Sequence, residues 1–269
     1  MPDVTQHLLL RDGHTAAQLH ELGVRRGGVL LVHASMRSVG GDPATMAAAL
    51  RQALGPEGTL VVPAFTTENS DTSRAYLDRV RGLSDEARAE VRASMPAFDP
   101  ATSPAPAMGT LAETVRLAPG ALRSAHPQTS FAALGPGAAK LLAGHRRDCH
   151  LGEDSPLARL YEADARVLLL GTGFDSCTAF HLGEYRRPSP PRRLYRCVVG
   201  SEGGRRWWEY EDVALDDSDF PALGADFCRA RPGAVSTGRV AAARSRLFRL
   251  RTAVDFATEW IGERRPDGC

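Results

Sequence analysis

Residues 166–186 read RVLLLGTGFDSCTAFHLGEYR, and the rest of the architecture is built around this stretch. After Arg166, four apolar residues run without a break to Leu170. A continuous apolar run of strand length fits a strand covered on both faces. Gly171 and Gly173 then punctuate the chain, and the spacing of TAFHLGEYR (178–186) predicts a short helix. A buried strand that turns straight into a helix is the repeating unit of an α/β sheet.

Two earlier segments have the same character, VLLVHAS (29–35) and TLVVPAF (59–65). Helices separate them. Thr15 is placed to cap a helix over AAQLHEL, which Gly23 ends. Asp42-Pro43 supplies an N-cap and first helical residue for a helix that runs through Leu54 and stops at Gly55-Pro56. Further along, LAETVRL (111–117) reads as helix, QTSFAALG (128–135) as strand and PGAAKLLA (136–143) as helix. Between them, residues 66–108 are polar and proline-rich, with one helical piece near 84–94. So long an irregular segment reads as a loop over a site. After Pro188, SPPRRLYRCVVG and GRRWWEYEDV read as paired strands about Glu202-Gly203-Gly204. An amphipathic helix over 251–265 closes the pattern. The expected fold is α/β, a mixed central sheet covered by helices with a β-rich C-terminal section. We read residues 1–269 as one unit, with a candidate sub-boundary near 187–192.

Composition limits the function. The 269 residues carry 33 Lys and Arg against 32 Asp and Glu, a net charge of +1. That balance lacks the basic face a nucleic-acid binder needs. No apolar run nears the roughly 20 residues of a membrane span. The opening MPDVTQHLLLRDGH has no basic segment ahead of an apolar core, so no signal peptide is read. The five cysteines (Cys149, Cys177, Cys197, Cys228, Cys269) are odd in number and none are spaced CxxC. A disulfide framework or structural zinc is therefore not expected, and a reduced cytoplasmic protein is.

Four clusters carry reactive groups. In the first, Thr178, His181 and Glu184 recur at i, i+3 and i+6, neighbours along one helix face. Glu184 can hold one nitrogen of His181 and leave the other to take a proton. A surface ion pair with a threonine cap explains the same spacing, and two ligands of a metal site would too. Cys177 beside the helix start is an alternative nucleophile. In the second, VHASMRSVGG sets His33, Ser35 and Ser38 in a glycine-bearing loop that can offer N–H groups to an anion, or simply join a strand to a helix. The third groups Arg123, Ser124 and His126 before a strand, suited to a phosphate or a carbonyl, or to a satisfied loop histidine. The fourth is acidic: Glu202, Glu209, Glu211, Asp212, Asp216, Asp217 and Asp219, with Glu68, Asp71 and Asp99 in the long loop. Such a set suits a polycationic ligand or a solvated face.

Taken in order, these blocks resemble the aminoglycoside 3-N-acetyltransferase family from about residue 15 to 262. The blocks are VHASMRSVGG, GPEGTLVVPAFT, MPAFDPATSPAPAMGTLAE, RSAHPQTSFAALG, GEDSPLARL, GTGFDSCTAFHLGEYR and SRLFRLRTAVDFATEW. Arg37 stands where the family commonly has a small residue, and Cys177 where it has a polar one. The resemblance implies acetyl-CoA-dependent transfer to the 3-amino group of a 2-deoxystreptamine aminoglycoside, without a metal. It implies His181 as general base, Glu184 orienting it and Thr178 near the reacting centre. It implies that His33, Ala34, Ser35 and Ser38, with Ser124, His126 and Ser155, line the coenzyme A channel. Asp99, Glu68, Glu211 and Asp212 would receive the drug's ammonium groups. The implied partners are these two small molecules, not nucleic acid or membrane, and the oligomeric state stays open. A biosynthetic N-acyltransferase acting on another amine, and a non-catalytic protein that sequesters a cationic drug, are the competing expectations.

Overall fold

The computed structural model describes residues 4–265. The order along the chain is α1 (Val4–Leu22), β1 (Val29–Ala34), α2 (Met36–Val39), α3 (Pro43–Leu54), β2 (Thr59–Pro63), α4 (Arg74–Arg79), α5 (Asp85–Ser94), α6 (Thr110–Arg116), β3 (Leu122–Arg123) and β4 (Phe131–Leu134). It continues with α7 (Ala138–Leu142), α8 (Pro156–Glu162), β5 (Arg166–Leu170), α9 (Phe180–Tyr185), β6 (Arg192–Ser201), β7 (Gly204–Val213), α10 (Phe220–Ala230), β8 (Val235–Val240), β9 (Ala243–Arg249) and α11 (Leu250–Arg264). Seven strands form one sheet in the order β3-β4-β2-β1-β5-β9-β8. β1 lies parallel to both β2 and β5, and the remaining pairs are antiparallel.

The apolar runs form this sheet because alternate side chains enter two separate cores. Leu31, Val61, Val167 and Leu169 pack on one face with α7, α8, α9, α10 and α11. Leu30, Val32, Leu60, Val62, Leu168 and Leu170 pack on the other with α1, α3 and α6. Each such side chain stabilises the fold by about 1.5–3 kcal/mol. Strands with no polar alternation are stable here only because both faces are covered.

The structure agrees with the sheet expected from sequence and refines its edges. Asp42 caps α3, its carboxylate accepting from Thr45 N at 2.8 Å. Thr15 lies inside α1, which begins at Val4 rather than at a cap there. The helix expected over 178–186 spans only 180–185; a 3-10 turn at Phe174–Ser176 precedes it, and Thr178 and Ala179 lie in the turn between. The C-terminal section is β-rich in two different ways. β6 and β7 form a separate hairpin, whereas β8 and β9 extend the central sheet beside β5. In the 66–108 segment, α4 was not foreseen; Ser73 caps it by accepting from Tyr76 N at 3.1 Å. Asp71 in this segment is buried and faces Arg196 of β6 at 3.0 Å, and Phe98 bridges to Val199. The loop is thereby tied to the hairpin. Among the described residues, no helix is long and apolar enough to cross a membrane.

The hairpin joins the body through a buried polar cluster. Asp212, at the end of β7, accepts from His150 N at 2.7 Å, His150 Nδ1 at 2.8 Å and Tyr185 Oη at 2.5 Å. His150 Nδ1 therefore carries the proton, and its Nε2 meets the Tyr210 hydroxyl at 2.9 Å. His126 lies against His145 and His150, with ring centroids 4.8 and 4.7 Å away. Burial holds His126 well below the ordinary histidine range and His145 down at about 4. Burial also lowers His150, outweighing the opposing pull of Asp212.

These rings are neutral when folded and free to take a proton when unfolded, at about pH 6.5. Their contribution to stability is full above that pH and is lost as pH falls toward 4. Urea-unfolding midpoints at pH 7, 6 and 5 are expected to fall, each buried ring contributing about 1.4 kcal/mol per pH unit within its window. His145→Gln should flatten that slope. A midpoint that does not change from pH 7 to pH 5 would contradict the neutral cluster.

Candidate active site

The parallel strands β1, β2 and β5 end on the same side of the sheet, and the chain leaves β1 and β5 in separate loops. Open α/β sheets form ligand crevices at such strand ends. A cavity of about 610 Å³ lies here, within the usual range for small-molecule sites. Its floor is His33, Ala34 and Ser35 at the end of β1 with Pro63 and Phe65 at the end of β2. One wall is Met108–Ala112, and the other is Asp175–Thr178 with His181, Asp217 and Phe220. Gly171 lets the end of β5 approach this closely. Its φ is 69°, and a Cβ there would lie 3.0 Å from the Cβ atoms of Ser38 and Ala243.

His181 and Glu184 are brought together on α9, Nδ1 and Oε2 being 2.6 Å apart. Glu184 is 2% exposed. Its other oxygen, Oε1, accepts from Asp216 N at 3.0 Å and from the guanidinium of Arg265. A carboxylate that accepts on every side leaves only one tautomer for the neutral histidine. Nδ1 carries the hydrogen and Nε2 the lone pair. Nε2 has no hydrogen-bond partner among the described residues. The ring packs on Phe220, with centroids 4.7 Å apart. α9 itself is seated closely on α11, since a Cβ on Gly183 would lie 2.9 Å from the Cβ of Ala257.

Thr178 lines the cavity from the turn before α9 rather than from the helix face, and its carbonyl accepts from His181 N at 3.1 Å. His33 is buried, and burial with the nearby His181 pushes its pKa down to about 3. It is a neutral ring whose Nε2 lacks a partner. Cys177 also lines the cavity but is fully buried, and burial pushes its thiol up to about 12. It stands as a thiol and not as a thiolate nucleophile.

The other residues singled out from sequence fall elsewhere. Ser38 is exposed and bonds Ser35, with Oγ atoms 3.1 Å apart. Ser124 and His126 lie buried in the histidine cluster behind the hairpin, where Ser124 Oγ meets His145 Nδ1 at 3.0 Å. Ser155 caps α8, its Oγ accepting from Leu157 N at 3.2 Å. Asp99 turns back onto its own loop and accepts from Ala101 N at 2.7 Å. Glu68 is exposed and bonds Thr67, while Glu211 pairs with Arg192 at 3.0 Å on the hairpin. Asp212 is occupied by His150 and Tyr185. None of these lines the cavity. The carboxylates that do are Asp175 and Asp217, together with the exposed Arg37. Asp217 belongs to the acidic run visible in sequence, but no local pattern separates it from its neighbours. Asp175 lies within the 171–186 block, three residues before Thr178.

An α/β fold with a carboxylate-held histidine in a strand-end cavity has the kind of group that acid–base enzymes use. The model of the aminoglycoside 3-N-acetyltransferase family matches residues 31–262, and the chain belongs to that family of acyltransferases. Aminoglycoside N(3)-acetyltransferase VIII of Streptomyces fradiae is 37% identical over 97% of this chain and 93% of its own length. The crystal structure of YokD from Bacillus subtilis superposes with a TM-score of 0.87 at 34% identity, covering 96% of this chain and 95% of that one. AAC-IIIb in binary complex with CoASH superposes with a TM-score of 0.80 at 31% identity, over 96% of this chain and 98% of that one.

The thiols offer a direct check. A colorimetric disulfide reagent should label the exposed Cys228 rapidly in the native protein. Cys177 and Cys197 should react only after denaturation. Cys269 lies outside the described residues, so labelling is best read by peptide mapping. Fast native labelling at Cys177 would return it to consideration as a nucleophile.

Proposed function

We propose that the chain transfers the acetyl group of acetyl-CoA to the 3-amino group of a 2-deoxystreptamine aminoglycoside, with His181 as general base. The observation that carries this reading is the His181–Glu184 pair, 2.6 Å apart, with the free Nε2 beside the 610 Å³ cavity. The names of the relatives support the substrate class, and the CoASH complex of a similar structure supports the donor.

The amine reaches the site mostly as ammonium and must lose one proton to solvent before it can attack. Its nitrogen then bonds to the acetyl carbonyl carbon while Nε2 of His181 takes the second proton. The oxyanion that forms needs donors, for which the Thr178 hydroxyl or a backbone N–H is suited. Collapse breaks the C–S bond, and the imidazolium returns its proton to the departing thiolate. No acyl-enzyme forms, in keeping with the protonated thiol of Cys177.

In this reading His33, Ala34 and Ser35 bear the pantetheine end of the donor, and Ser38 with the exposed Arg37 stands toward its phosphates. Asp175 and Asp217 receive ammonium groups of the acceptor. Asp217 also faces Arg74 at 3.3 Å, both groups being well exposed, and an exposed pair of this kind is readily exchanged for a ligand. Ser124, His126 and Ser155 act at a distance by shaping the loops beneath the hairpin. Glu68 and Asp99 contribute only to the field outside the cavity.

The test is thiol release from acetyl-CoA against a panel of aminoglycosides, with mass spectrometry of the products. One acetyl group on the 3-amine is expected. His181→Ala should lower kcat by about 10²–10⁴-fold while leaving coenzyme A affinity nearly unchanged. An undiminished rate would remove His181 from the chemistry, and absent thiol release with every drug would overturn the acceptor class.

A further inference from the structure

Glu184 carries a charge that its surroundings would otherwise reject. Its side chain is 3% exposed, and an unpaired carboxylate so placed would take up a proton. A protonated Glu184 could donate to Nδ1 of His181, moving the ring hydrogen to Nε2. The lone pair facing the cavity would be lost.

What prevents this comes from the far end of the chain. The guanidinium of Arg265 bonds Glu184 Oε1 and, through Nε at 2.8 Å, Asp219 Oδ2. Its third contact is the Asp216 carbonyl at 2.7 Å. The Arg265 carbonyl is in turn held by Arg187 at 2.7 Å. The Arg265 side chain is 17% exposed and lies over the Phe220 ring, which also packs on His181. A planar fork gripped on three sides is not a mobile surface residue.

We propose that Arg265 is a positioning residue for the reaction: it keeps Glu184 ionised, and so keeps His181 in the Nδ1–H form with Nε2 open to the substrate. The inference deepens the reading of His181 as base. Arg265 acts through Glu184 and touches no substrate.

The sign of its effect follows from charge. Three kinds of group face the pair. Asp216, Asp217 and Asp219 come from the segment after β7, and Asp175 from the turn before α9. His33 faces it from β1 and His150 from behind α9, and both are neutral rings with lowered proton affinity. Arg74 of α4 pairs with the exposed Asp217, while Arg265 is the cation bonded directly to Glu184. Arg265→Gln removes that cation and leaves the acids, so the His181–Glu184 pair should bind its proton more tightly. Asp219→Asn frees the guanidinium to act on Glu184 alone, so the pair should bind its proton less tightly. Arg265→Lys keeps the charge.

The experiment is an NMR pH titration of the His181 ring carbons, assigned by difference against His181→Ala, together with the pH profile of kcat/KM. Arg265→Gln should move the His181 midpoint and the acidic limb of the profile up by about one pH unit. Asp219→Asn should move both down, and Arg265→Lys should restore the wild-type position. If the glutamine variant does not fold, the aspartate and lysine variants still carry the test. A structural loosening would lower activity at all pH values or shift both charge variants the same way, and either result overturns the proposal. The ring titration needs no turnover. Shifts of the expected sign in a protein that releases no thiol would condemn the substrate reading and leave Arg265 in its role. Turnover with unmoved titrations would do the reverse.

Discussion

A carboxylate with almost no solvent contact has to be satisfied from all sides, and Glu184 draws three parts of the chain together for that purpose. α9 supplies His181, the segment after β7 supplies the backbone of Asp216, and the end of α11 supplies Arg265. The desolvation cost of such a group in isolation is several kcal/mol. The charge-assisted bonds around it offset that cost only while all partners are present. The site is therefore as ordered as the packing of α9 on α11, which Gly183 brings to near-contact. The histidine's tautomer is thus a consequence of tertiary structure and cannot be set by the helix alone.

The hairpin β6–β7 does for the neighbouring region what α11 does for Glu184. Its buried Asp212, near the end of β7, holds Tyr185, the residue after Glu184. Its first strand, β6, holds Asp71 through Arg196 and so ties down the long 66–108 segment. One two-stranded unit outside the main sheet thereby links the helix bearing His181 to a segment whose end, near Met108, walls the cavity. The buried histidines between hairpin and body confer order at neutral pH, and their burial as neutral rings makes that order sensitive to acid.

Much of the fold was legible because fully buried strands write themselves as unbroken apolar runs. β1, β2 and β5 were visible this way, and Asp42-Pro43 marked α3 through cap chemistry. The His181–Glu184 pair was visible because i, i+3 spacing survives even in a two-turn helix. What failed to show has a common cause. Asp217 and Arg265 owe their positions to the folding of distant segments, and nothing near them in sequence sets them apart from other acids and arginines. The reverse also holds for Asp212, Ser124 and His126. They were expected at ligand sites, and the structure places them in the buried polar cluster, where Asp212 bonds His150 and Tyr185 and Ser124 bonds His145. The β8–β9 pair escaped because edge strand β8 (VSTGRV) is mostly polar and arginines interrupt the apolar residues of β9 (ARSRLFR).

The arrangement around Arg265 has a consequence for the order in which the molecule becomes competent. A ribosome emits α9 long before it emits residue 265, and β9, the partner that covers β5 on its outer edge, also comes late. A growing chain can hold His181 and Glu184 on a formed helix while the charge that stabilises Glu184 has not yet been synthesised. Until then Glu184 Oε1 lacks its guanidinium partner. A chain at that stage has β1, β2 and β5 but not the Arg265 bond to Glu184. The arrangement cannot be complete before α11 has packed on α9 and brought Arg265 to Glu184.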